Sequence, residues 1–242
     1  RDQSGDRFFS GFEPSLHSHF ADEALSIKLI KKELPNLEKC FLRTQYLVTG
    51  TNVLSSPISA ETIFFILEQA KKSEVKVVID LNWREVFWDY SNFASDISKK
   101  SRINLIKNFL NHAHVIKLAK EEATLFFEIE NPLLISQQMS KRPDVIITDG
   151  KNPVSWHING FQGNTKIPKS QTIVDTTGAG DAFLAGLISQ FISFGYPTSE
   201  LEIKACVRFA SACGLLTCQG EGAIEPQPDY EKVSKFLGSL IS

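Results

Sequence analysis

Ile173-Val174-Asp175-Thr176-Thr177-Gly178-Ala179-Gly180-Asp181-Ala182-Phe183-Leu184-Ala185-Gly186-Leu187 is the stretch on which the rest of the chain turns. Apolar Ile173 and Val174 predict the end of a buried strand. Gly178 and Gly180, which lack a Cβ, permit a tight turn whose backbone faces outward. From Asp181 on, Leu184, Leu187, Ile188, Phe191 and Ile192 recur at spacings of three and four, a helical period. A strand, a glycine turn and a helix N-terminus together present free N–H groups and the positive end of a helix dipole, which suits a phosphate. An acid beside such a site has chemical sense if it handles a proton. It could take the proton of a hydroxyl attacking a phosphoryl group while the amides hold the charge that builds up. The same residues also suit a plain glycine turn with an aspartate capping a core helix. A dinucleotide fingerprint would need glycine where Phe183 stands, and no G-x-x-x-x-G-K-[ST] occurs anywhere.

Composition narrows the classes. Lys and Arg number 26 against 28 Asp and Glu, so there is no basic footprint for nucleic acid or an anionic membrane surface. No apolar run reaches the roughly 20 residues of a membrane span. With 42% hydrophobic and 22% charged residues, the 242-residue chain suits an ordinary globular domain. Cys40, Cys206, Cys213 and Cys218 form no C-x-x-C pair and no N-x-[ST] sequon occurs, which predicts reduced thiols and an intracellular protein. The chain opens at Arg1 in what reads as a strand, so its natural N-terminus is expected upstream and its targeting, to cytoplasm or plastid, is left open.

Along the chain, residues 1–12 read as half of a hairpin around Ser4-Gly5-Asp6. A helix is predicted from Ala21 to Leu34, stopped by Pro35. Tyr46 to Gly50 is a short strand, and Ser56-Pro57 opens a helix to about Lys72. Val75 to Asp80 is another strand, followed by a helix from Ile97 to Leu110. Val115 to Leu118 and Val145 to Thr148 are strands separated by short helices at Lys120 to Phe127 and Leu133 to Ser140. Val154 to Asn159 and Gly163 to Ile167 form a hairpin or edge pair. Helices at about Leu201 to Leu216 and Asp229 to Ile241 close the chain. This alternation predicts βαβ units and a mostly parallel sheet, whose ligands bind beyond the carboxyl ends of the strands. His17/His19 and His112/His114 share i, i+2 spacing, but no third ligand clusters with either pair.

The run Asp175 to Phe183, D-T-T-G-A-G-D-A-F, resembles the C-terminal signature of the PfkB (ribokinase-like) carbohydrate kinases. Asp80-Leu81-Asn82-Trp83-Arg84-Glu85-Val86-Phe87-Trp88 resembles the D-x-N-x-R-x-x-L-W segment of members acting on fructose and 2-keto-3-deoxygluconate, with Phe87 in place of leucine. The resemblance implies a ribokinase-like three-layer α/β/α sandwich over residues 13–242, with residues 1–12 the remnant of a small β lid. It implies transfer of the ATP γ-phosphate to a sugar hydroxyl with Mg²⁺, Asp181 as base and Gly178, Ala179 and Gly180 as anion hole. Asn82 and Arg84, with Asp181, would meet the acceptor. A guanidinium suits that place because it forks two hydrogen bonds and stays charged.

Further matches extend the resemblance. Lys120-Glu121-Glu122 after Ala119 resembles the family's N-x-x-E segment, which implies an indirect role for Glu122 toward Mg²⁺; alanine stands where the family has Asn or Ser. Thr148-Asp149-Gly150 resembles a T-x-G turn beside the nucleotide phosphates. Ser211, on the penultimate helix, aligns with a nucleotide-contacting position of the family, and the resemblance implies that Thr148, Gly150, Gly180 and Ser211 contact the nucleotide. Asp175 and Thr177, with Thr217, Gly220 and Gly222, resemble the loops that hold a monovalent cation such as K⁺. A homodimer through the lid is also implied. Thr177 and the Arg84 segment favour a ketose or keto-deoxy sugar acid over a nucleoside. The competing readings are a nucleoside kinase and a catalytically weak assembly subunit. Intact Asp181 and both glycines speak against the latter, while Ala119 and the looser Thr148 turn speak for it.

Overall fold

The computed structural model describes residues 25–85, 88, 99–168 and 173–240. The lid segment 1–12 and His17/His19 lie outside them. The chain forms two compact units, one within Ser10–Ile147 and one built on Thr148–Ser242.

The first unit opens with α1 (Ile27–Lys32) and α2 (Leu34–Phe41). The expectation of one helix stopped by Pro35 is corrected here. Pro35 stands in the first turn of α2, where its missing N–H leaves no bond unmade. The chain then alternates through β1 (Tyr46–Gly50), α3 (Pro57–Lys72), β2 (Lys76–Asp80), α4 (Lys99–Leu110) and β3 (Val115–Ala119). It continues through α5 (Lys120–Phe127), α6 (Pro132–Gln138) and β4 (Asp144–Thr148). β1, β2 and β3 pair in parallel, and β4 follows next to β3. Val77 to Asp80 and Val115 to Leu118 are buried on both faces, which is why these strands read as continuous apolar runs. Leu67, Phe109, Leu110 and Trp88 pack on them with at most 1% of their surface exposed. The register matters most: Gly50 pairs with Asp80, and Asp80 with Lys117, so polar residues line up at the carboxyl ends of the strands.

In the second unit β5 (Val154–Ile158) and β6 (Phe161–Thr165) form an antiparallel hairpin. Gly163 makes room for the fully buried Trp156, since a Cβ there would fall 2.7 Å from the indole. Three helices follow: α7 (Ala179–Phe194), α8 (Glu200–Thr217) and α9 (Tyr230–Ser239). α7 and α8 approach closely where Gly186 faces Cys213, and Val233, Phe236 and Leu237 of α9 cover Phe209 and Leu216 of α8. The strand expected at Ile173-Val174 is a second correction. Ile173 is 48% exposed, and the N–H groups of Val174 and Asp175 donate to the Cys218 carbonyl at 2.8 and 3.2 Å. Two apolar residues were too short a run to hold a strand once the end of α8 offered an acceptor. Among the described residues no helix is long and apolar enough to cross a membrane.

Candidate active site

Each unit carries one cluster of the residues singled out by sequence. In the second unit, Gly178 caps α7 with φ 77°, a conformation that only glycine adopts cheaply. A Cβ on it would also meet the backbone of Ala223 at 2.9 Å. Ala179 donates its N–H to the Thr176 carbonyl at 3.2 Å and Ala182 donates to Gly178 at 2.8 Å. Between them, the N–H groups of Gly180 and Asp181 find no acceptor in the hydrogen-bond pattern of the described residues. They lie in the first turn of a 16-residue helix, where the positive dipole end adds to their pull on an anion. Asp181, the third residue of α7, is exposed and its carboxylate makes no hydrogen bond among the described residues. An uncommitted carboxylate next to open amides is free to accept a proton.

Asp175 fixes this turn from below. It is fully buried. Its Oδ1 accepts from the Thr177 N–H at 3.1 Å and the Thr177 hydroxyl at 2.6 Å, and its Oδ2 accepts from the Gly222 N–H at 2.9 Å. One carboxylate thus joins the 175–178 turn to the 218–222 loop, where Gly222 has φ 83°. Thr217 and Ser211 stand differently. Both are buried in α8 and donate their hydroxyls one turn back, Thr217 to Cys213 and Ser211 to Val207. Thr148 ends β4, and Gly150 (φ 51°) lies in the turn that Asn152 closes on Asp149. A groove of about 470 Å³ between α7, α8 and α9 is lined by Ala182, Gly186, Phe209, Cys213, Tyr230 and Val233, and by none of the anion-turn residues.

The first unit's cluster sits at the carboxyl ends of β1 to β3. Lys117 Nζ donates to both oxygens of Asp80, at 2.9 and 3.2 Å, as a buried ion pair. Thr51 gives its hydroxyl to the Leu81 carbonyl at 2.6 Å, and Leu81 its N–H to the Lys117 carbonyl at 2.9 Å. Asn82 follows with φ 40°. The Trp83 N–H donates to Glu122 Oε1 at 2.6 Å, and the Ala119 N–H to Glu122 Oε2 at 2.7 Å. Burial pushes the Glu122 carboxyl above the usual range, the two N–H donors pull it back, and Asp80 and Lys117 act on it with opposite signs. Arg84 is exposed, with Nη1 on the Trp83 carbonyl at 3.0 Å. Among the described residues no three His, Cys, Asp or Glu side chains group as a metal site.

The sequence pattern of the pfkB family of carbohydrate kinases matches residues 20–230. The chain belongs to that family. As a pfkB protein it is 28% identical over 206 residues to a fructokinase of Salmonella thompson, an alignment covering 83% of this chain and 86% of the relative. It is 28% identical over 239 residues to the probable chloroplastic fructokinase-6 of Arabidopsis thaliana, covering 96% of this chain and 57% of the relative. Its fold matches that of Xylella fastidiosa fructokinase, solved with bound ATP, at a TM-score of 0.73 and 23% identity over 85% of this chain and 65% of that one. The expected mixed α/β, ribokinase-like fold class is thereby borne out. The pfkB chain thus spans only about three fifths of the longer proteins it resembles.

Two features of the site were not anticipated. The Asp80–Lys117 pair could have been suspected from two charges closing otherwise apolar strands, since register places them opposite one another. The contact of Ala223 with Gly178 had no local signal at all.

Proposed function

We propose that the protein is an ATP-dependent sugar kinase that phosphorylates a hydroxyl of a small ketose of the fructose type. One observation carries this: uncommitted Asp181 stands in the same helical turn as the open N–H groups of Gly180 and itself. A hydroxyl nucleophile needs a base, a phosphoryl group in flight needs donors, and this turn offers both in one place. The names of the relatives, fructokinases in Salmonella and Arabidopsis, support the acceptor class, and the ATP in the Xylella fructokinase supports the donor.

Asp181 takes the acceptor proton. Gly180, with Gly178 and Ala179 shaping the turn, receives the charge that develops on the phosphoryl oxygens. Asn82 and Arg84 contact the acceptor, the guanidinium answering its oxygens or the charge of the transferred group. Thr148 and Gly150 lie along the nucleotide phosphates. Ser211, whose proton goes to Val207, offers lone pairs only. Magnesium, arriving with the triphosphate, supplies charge neutralisation. Both Glu122 oxygens are taken by N–H donors, so Glu122 fits a role at one remove from that ion. A monovalent cation fits beside Asp175, Thr177 and the 217–222 loop chiefly through carbonyl and hydroxyl oxygens, because the Asp175 carboxylate already accepts three donors.

ADP release by the full-length protein, with MgATP and a panel of ketoses, aldoses, keto-deoxy acids and nucleosides, tests the proposal. Release stimulated above all by fructose or a close ketose is expected. No acceptor-dependent release with any of them would overturn it.

A further inference from the structure

We infer that Glu122 is a positioning residue for the acceptor side of the site, a clasp that holds the Asn82–Arg84 turn in its working shape. This rests on the kinase reading and adds to it a role distinct from magnesium or phosphate. Asn82 has φ 40°, a left-handed conformation that asparagine tolerates better than most residues but that still gains from surroundings that hold it. The surroundings here can be named. Upstream, Leu81 is tied on both sides of its peptide: its N–H to the Lys117 carbonyl at 2.9 Å and its carbonyl to the Thr51 hydroxyl at 2.6 Å. Downstream, the tie to another element among the described residues is the Trp83 N–H on Glu122 Oε1 at 2.6 Å, while the Trp83 carbonyl accepts only from the neighbouring Arg84 side chain.

The other end of the clasp is equally firm. Glu122 Oε2 accepts the Ala119 N–H at 2.7 Å, so the carboxylate spans from the start of α5 to the turn after β2. The Trp83 ring lies 5.2 Å from the Trp88 ring and 5.3 Å from Phe126 of α5, which keeps the residue against the same helix. Glu122 itself is only 9% exposed. A carboxylate withdrawn from water is retained at a cost, and its two short N–H bonds offset that cost only while both donors stay in place. Release of the Trp83 N–H would free the backbone hydrogen bond that ties the turn after Asn82 to α5. The turn would then relax, and Asn82 and Arg84 would lose their fixed direction toward the acceptor.

Two variants of the full-length protein separate this from a charge effect. Glu122→Gln keeps size but offers one acceptor oxygen for two donors. Glu122→Asp keeps the charge but is a methylene too short to reach both. Backbone hydrogen exchange at Trp83, and KM for fructose and for MgATP, are measured in each. Both variants are expected to speed Trp83 exchange and raise KM for the acceptor, each about ten-fold or more, with the rise in KM larger for the acceptor than for MgATP. In an Arg84→Ala background Glu122→Gln should add little, because both changes disable the same turn. The inference is overturned by unchanged Trp83 exchange, by a shift confined to MgATP, by a wild-type-like Glu122→Asp, or by effects that multiply with Arg84→Ala. If the wild-type protein transfers no phosphoryl group, the kinase reading fails, and the exchange comparison still decides whether the clasp exists.

Discussion

Gly178 shows how one residue can be constrained twice. Its φ of 77° excludes most side chains, and Ala223 occupies the space a Cβ would take. Gly178→Ala is expected to cost roughly 2 kcal/mol or more, strain and clash together, and to lower turnover per folded molecule because the open amides shift with the turn. Gly150 (φ 51°) is the control, since nothing lies within 4 Å of its would-be Cβ. Gly150→Ala should cost only the strain, about 1 kcal/mol. Thermal unfolding and turnover of the two variants side by side check both values. At this scale the glycine turn and Asp181 were legible in the sequence, because a tight turn selects glycine locally. What Asp175 does was not. Its Gly222 partner stands 47 positions away, and no local pattern announces a bond over that distance.

The elements were mostly legible because their signals are periodic, and the exceptions fall where a neighbour outweighed local preference. Ile173-Val174 has strand propensity but is tethered to the end of α8. Pro35 reads as a stop yet begins a helix, since helix starts tolerate it as readily as helix ends require it. The start of α5 offers a test. Ala119 takes the extended N-cap conformation (φ −79°, ψ 159°) and receives the Glu122 carboxylate on its N–H, but its methyl cannot return a bond to the Glu122 N–H. Ala119→Asn should complete the exchange and stabilise the protein by about 1 kcal/mol. Chemical denaturation would show this as a higher midpoint at an unchanged slope. A midpoint at or below that of wild type would mean that the helix start has no room for the side chain.

At the scale of the molecule, stability should carry a pH signature from His114. Its Nδ1 accepts the Val77 N–H at 2.9 Å, where only a neutral ring can act as acceptor. Burial, with Lys141 and Lys76 nearby, lowers its pKa from the usual 6.5. Below that value the unfolded chain therefore binds the extra proton more readily. This contribution is complete above about pH 6.5 and is lost as pH falls through the lowered value. His114→Asn, which keeps an acceptor and does not titrate, should flatten the slope of stability against pH in that window, leaving the part due to His112, whose pKa is also lowered. Fold class was legible at this scale from strand and helix alternation. The row formed by Gly50, Asp80 and Lys117 was not, because register depends on pairing that spans the whole unit. The central claim is that Asp181 is the base of an acceptor-dependent phosphoryl transfer, and Asp181→Asn tests it most directly. The amide preserves shape and suits a helix start while removing the charge and the proton acceptor. Unfolding temperature should stay within a few degrees of wild type, while formation of sugar phosphate falls by about 10² to 10⁴. Sugar phosphate formed at the wild-type rate per folded molecule would contradict the account.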